Sequence, residues 1–187
     1  MKTLKQISFI FFWLITGYLL LPQTECRAQV IKMSSRDLTK ASSAVLYGKC
    51  SNIKCEWNEK KDIIYTYVTI APEGYIKGNL GSESVIAVPG GRVGNIIYEV
   101  SEMPVFTEGE EVVVFVSKGK TGRNLVTGGF QGKMRIEKDA KTGKRMVQGY
   151  YPEGKADAET KGAGQSGKSE KVSLEDFISE LRGYLNN

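Results

Sequence analysis

The stretch from Ser84 to Lys133 constrains the fold more than any other part of the chain. It reads SVIAVPGGRVGNIIYEVSEMPVFTEGEEVVVFVSKGKTGRNLVTGGFQGK. Short β-branched and aromatic runs alternate with corners that carry Gly and Pro. That alternation signals an antiparallel β-structure bending around a core. The reading over this stretch is strands at Ser84–Val88, Asn95–Val100, Val112–Val116, Asn124–Thr127 and Gly132–Lys138, the last paired with Arg145–Tyr150 across a turn at Asp139–Lys144. The run Val112–Val116 is continuously apolar and short, the pattern of a strand buried on both faces.

Upstream, AVLYGKC begins the first strand at Ala44 and CEWN follows it. A charged turn at Asn58–Asp62 leads into IIYTYVTIA, a hairpin signal. Along that run Ile64, Thr66, Val68 and Ile70 share one face, and Ile63, Tyr65, Tyr67 and Thr69 share the other. Neither face is charged, so the strand is central or has its second face covered. Pro72 and Gly74 are expected to end it. The tyrosines are packing residues or a binding face, and Tyr65, Tyr67 and Arg92 make the candidate binding surface. Seven or eight strands with short turns point to a closed or nearly closed barrel, which removes exposed strand edges.

Two helices flank this β-rich body. Residues 34–43 read as a short helix, with Ser34 as its cap and Asp37 at capping-box spacing. At the other end Ser173 caps a helix with Asp176 three residues on. There Leu174, Phe177, Ile178, Leu181 and Leu185 form one apolar stripe. The stripe suits packing on the barrel or docking to a partner.

The segment Met1–Ala28 reads as an export signal. Lys2 and Lys5 precede an apolar core, Ile7–Leu21, which Pro22 breaks. Cys26-Arg27-Ala28 places small residues where a signal peptidase wants them, so cleavage leaves Gln29 first. A spanning helix wants about 20 apolar residues, more than this run supplies. Lys2, Lys5, Arg27 and Glu25 together carry +2 of the formal +5, which leaves the chain from Gln29 at +3. No dense basic run is interleaved with aromatics, so no nucleic-acid partner is expected. After cleavage no membrane contact is expected either. The domain reading is 1–28 signal, 29–151 barrel, 152–172 linker and 173–187 helix.

Chemistry-bearing residues are few. The chain contains no histidine. That removes the Ser-His-Asp and Cys-His nucleophile systems and the commonest metal ligand. Cys50 and Cys55 remain in a chain expected to meet an oxidising compartment, so a Cys50–Cys55 disulfide is expected. The other reading is two free thiols on one long strand. No metal is expected at two thiolates without histidine, because zinc wants four ligands. Glu108, Glu110 and Glu111 cluster at one corner. They leave open a hydrolase that uses paired carboxylates, for which one carboxyl must sit in an apolar pocket. Gly162–Ser169 matches the phosphate-loop pattern, but the residues before it are polar and the stretch after it is too short for further strands. A phosphate loop needs a buried strand before it and a helix after it, so the match is read as chance and no cofactor is expected.

The pattern VPGG…EMPVF…GEEVVVFV…VTGGFQGKMRI resembles a group of small exported bacterial proteins. Their barrel is similar to the oligonucleotide/oligosaccharide-binding (OB) fold seen in the inhibitory domain of tissue metalloproteinase inhibitors. The resemblance covers about residues 34–150 and the final helix. It implies a mainly β, OB-like closed antiparallel barrel with a short N-terminal helix and a C-terminal amphipathic helix. Those inhibitors begin with a Cys that binds the catalytic zinc, whereas this chain is expected to begin at Gln29. The functional expectation is therefore a secreted, non-catalytic binding or accessory module, protease-associated or inhibitor-like, whose partner is an exported protein or a glycan. The alternative is a carboxylate-dependent extracellular hydrolase.

Overall fold

Strands β1 (Ala44–Trp57) and β2 (Ile64–Lys77) are 14 residues each and pair antiparallel along their length. The computed structural model describes residues 32–150 and 170–186. The segment read as an export signal, the expected cleavage after Ala28, the Gly162–Ser169 motif and most of the 152–172 segment lie outside the described residues.

β1 is one strand where the sequence suggested two pieces. A register shift between Cys50 and Asn52 leaves Ser51 as the extra residue of a bulge. β2 does not stop at Pro72 but runs on to Lys77. The reason lies across the ladder, where Gly48 faces Pro72 at a second register shift. A Cβ on Gly48 would stand 2.2 Å from the Ala71 carbonyl oxygen. Only glycine admits that approach, and a bulge is a place where a strand tolerates proline.

Eight further strands follow: β3 (Ser84–Pro89), β4 (Gly91–Val93), β5 (Ile96–Tyr98), β6 (Glu111–Lys118), β7 (Asn124–Val126), β8 (Lys133–Lys138), β9 (Arg145–Tyr150) and β10 (Glu170–Ser173). Residues 170–172, read from sequence as linker, belong to β10, which pairs with β9. The order β1-β2-β3-β7-β6, with β6 pairing back onto β1, closes a five-stranded barrel. Every seam is antiparallel except β3–β7, a parallel contact at Ala87 and Leu125. The second edge of β6 is shared: Val116–Lys118 pairs with β7, and Glu111–Val114 pairs with β8. From there β8, β9 and β10 extend the sheet beyond the barrel.

This arrangement explains the apolar run in β6. Val112, Val114 and Val116 point into the barrel with Leu46, Val68, Ile70 and Ile86. Val113 and Phe115 point outward into a second core with Val45, Met134 and Val147. Helices α1 (Ser35–Ala41) and α2 (Leu174–Leu185) cover that second core with Leu38, Leu174, Phe177 and Leu181. Both caps form as the sequence implies. Ser34 and Asp37 make a capping box, and the Ser173 hydroxyl accepts from the Asp176 amide at 3.1 Å. Leu185, the last residue of the stripe, is exposed at the helix end.

Candidate functional site: an aromatic strip on the barrel wall

The barrel wall sorts β2 by alternation. Val68 and Ile70 turn inward and are fully buried, while Tyr65 and Tyr67 turn outward and are half-buried. Register partners on adjacent strands share a face. Tyr67 therefore lies between Lys54 on β1 and Ala87 on β3, and Ala87 in turn lies beside Leu125 on β7. Tyr65 lies between Glu56 and Pro89. Lys54 and Glu56 form an ion pair, and hydrogen bonding to Glu56 raises the Lys54 pKa.

The two rings sit 6.2 Å apart, tilted by 38°. The Arg123 guanidinium lies 5.4 Å from the centre of the Tyr65 ring. Arg123 comes from the β6–β7 loop, which is closed by hydrogen bonds from Gly119 N to Arg123 O (2.8 Å) and from Gly122 N to Gly119 O (2.9 Å). Its Nη1 donates to Thr121 Oγ1 at 3.0 Å. A cation over an exposed ring contributes about 0.5–1 kcal/mol, enough to orient the guanidinium. The result is two aromatic rings and a planar cation on one solvent-facing wall. Among the described residues neither tyrosine hydroxyl has a hydrogen-bond partner.

Arg92, the third residue of the sequence-derived surface, lies on the β4–β5 hairpin, where its Nε donates to Gly94 O at 3.1 Å. The cation on the tyrosines is Arg123. Sequence pattern alone does not find it, because its position depends on β7 returning beside β3.

The cysteines correct an expectation. Cys50 and Cys55 are both free. They lie on the single extended strand β1, so roughly 15 Å separates their Cα atoms. A disulfide needs about 7 Å or less. Cys50 is in the barrel core, and Cys55 Sγ lies 3.3 Å from Thr66 Oγ1 at a half-buried position.

The glutamate corner is engaged in holding the chain together. Glu108 Oε1 accepts from Ile53 N at 3.2 Å, and Glu110 Oε1 accepts from Thr107 N at 2.8 Å. Glu110 also lies 2.6 Å from Lys133 Nζ, both side chains being nine-tenths buried, and 3.5 Å from Arg135 Nε. Lys133 donates to Val105 O and stands 4.6 Å from the Phe106 ring centre. The pair therefore clamps the segment Pro104–Glu110 to β8. Glu111 pairs with Arg145 at 3.4 Å. Among the described residues no three His, Cys, Asp or Glu are grouped to hold a metal ion.

One cleft of about 550 Å³ opens at the barrel mouth, lined by Ile53, Cys55, Val88, Met103 and Phe106 among others. It lies beneath the β4–β5 hairpin, with Gly91 and Tyr98 on its wall. No family model, no curated protein and no solved structure matches the chain.

Proposed function

We propose that the protein is an exported, non-catalytic binding module whose ligand face is the Tyr65–Tyr67–Arg123 strip. The observation that carries this is the grouping of two tilted tyrosine rings and an arginine on a solvent-facing wall, with the phenol hydroxyls unpartnered among the described residues. Such a surface offers flat apolar area at low entropic cost and polar tips for hydrogen bonds. It suits an extended ligand, either a glycan or a segment of another exported protein.

The strand order supports an analogy with OB-type barrels. There the face of the second and third strands, with the first-to-second and fourth-to-fifth loops, binds oligosaccharides and oligonucleotides. In this chain the equivalent elements are β2–β3, the Asn58–Ile63 turn and the Gly119–Arg123 loop. The position of Arg123 on that loop and of the tyrosines on β2 supports reading this wall as the ligand face.

Affinity electrophoresis through gels containing neutral or acidic polysaccharides tests the glycan form. Photo-crosslinking from position 67 tests the protein form. Tyr65→Ala and Tyr67→Ala should each weaken binding about tenfold without changing the fold. Binding that survives the double substitution would falsify the assignment. The same gels separate the hydrolase reading: if the wild type shortens the polysaccharide and Glu110→Ala does not, the protein is an enzyme.

A further inference from the structure

The β4–β5 hairpin is a two-stranded sheet of its own. Its inner strand β4 lies against β1 and β2, which leaves β5 outermost. Among the described residues the free edge of β5 pairs with nothing. Its Ile96 and Ile97 are 54% and 58% exposed. A two-stranded ribbon is at best marginal in water, and an exposed apolar edge is a template for another chain.

Directly beside this edge lies the mouth cleft, walled by Ile53, Val88, Met103 and Phe106 and rimmed by Val105, which is 81% exposed. Gly91 and Tyr98 of the hairpin wall the cleft, but Ile96 and Ile97 lie outside its lining. Gly90 and Gly91, with φ of +109° and +137°, lead from β3 into the hairpin, and only glycine enters these conformations readily. A Cβ on Gly91 would also lie 2.6 Å from Thr66 Oγ1 and 2.9 Å from Cys55 Sγ. The chain thus carries an apolar projection and an apolar socket side by side, the hairpin forming one wall of the cleft and leaving Ile96 and Ile97 in solvent.

We propose that two copies of this chain associate about a twofold axis, each seating its Ile96–Ile97 edge in the mouth cleft of the other. A twofold contact uses the same patch on both copies, so projection and socket must border each other on one molecule, as they do here. Charge agrees with this occupant. Arg92, exposed on the hairpin, has no carboxylate partner among the described residues. Glu99 is the only charged residue in the cleft lining, and Glu102 stands exposed near it. Reciprocal seating brings the Arg92 of each copy toward the acidic rim of the other. A small anionic ligand finds no cation in that lining, and an unrelated apolar molecule in the cleft leaves Ile96 and Ile97 in solvent.

Analytical ultracentrifugation of the purified protein from about 1 to 200 µM tests the proposal, since a reversible dimer must depend on concentration. Expected is a monomer–dimer equilibrium that Ile97→Lys and Val105→Lys each weaken at least tenfold. Both side chains are exposed, so at concentrations where the monomer predominates melting temperatures should stay at the wild-type value. A mixture of the two variants should associate more tightly than either alone, because each supplies the half that the other lacks. Arg92→Glu should weaken the dimer, and adding Glu99→Arg should restore it. A wild-type protein that stays monomeric throughout the range overturns the proposal. So does a dimer indifferent to both lysine substitutions, or a variant mixture that fails to complement. A monomer that binds an apolar dye displaced by Val105→Lys assigns the cleft to a foreign ligand and also overturns it.

Discussion

Cys50 is 1% exposed, and its thiol is pushed above its ordinary pKa, first by burial and then by the Glu110 and Glu108 carboxylates. Because the thiolate is the nucleophile, Cys50 should resist alkylation at pH 8 while Cys55, half-buried at the cleft, reacts. Mass spectrometry of the dilute native chain from Gln29 onward should find one alkyl group, and two after denaturation without reductant. Uptake of none after denaturation would reveal a disulfide and contradict the structure. The shift also has a stability consequence. A thiol whose folded pKa is raised keeps its proton in the folded state. Its contribution is complete below the unfolded value of about 8.5 and is lost as pH rises through the folded value. The stability difference between wild type and Cys50→Ala should therefore shrink above about pH 8.5, read from urea unfolding at stepped pH. That one cysteine is buried and the other open could not be read from CSNIKC. A bulge at Ser51 sets which way each thiol points, and a bulge has no sequence signature of its own.

Helix α2 joins two scales, since its capping and its stripe are local while its burial is not. Ser173 and Asp176 begin it, and Leu174, Phe177 and Leu181 are at most 3% exposed. They cover the outer side of β6 and β8, where Phe115 and Met134 would otherwise face water. Phe177→Ala removes a fully buried ring and should cost about 3–5 kcal/mol. Deleting residues 174–187 should lower the melting temperature strongly or prevent folding, because it strips one whole side of the second core. An unchanged melting temperature after the deletion would mean that the helix does not hold that core. The stripe itself was legible because helical periodicity is a local property. Its target was not, because the choice between packing and partner docking depends on which wall of the barrel lies opposite. The aromatic strip divides in the same way. Tyr65 and Tyr67 share a face by alternation alone, whereas Arg123 joins them from a loop distant in sequence, and only once β7 lies beside β3.

At the scale of the molecule, strands β1, β2 and β6 each supply side chains to both cores. The barrel and the helical layer therefore cannot melt separately without exposing a strand on its second face. Thermal unfolding should be a single transition, with tyrosine near-ultraviolet and far-ultraviolet circular dichroism coincident and the calorimetric enthalpy equal to the van't Hoff value. An early near-ultraviolet step would mean that the helical layer parts from the barrel first. What the sequence by itself determined is the set of elements. The mainly β class, both helix caps, the positions of most strands and the double burial of Val112–Val116 all follow from alternation, period and corner residues. These are interactions between residues close in sequence, and the backbone's steric limits make them readable. The tertiary structure alone decided the closure of β6 onto β1, the parallel β3–β7 seam, the passage of β2 through Pro72, the free state of Cys50 and Cys55, and the cleft beneath the β4–β5 hairpin. Each depends on the pairing of segments distant in sequence. Such pairing is selected by the burial of the whole apolar set at once, so no single segment carries the information.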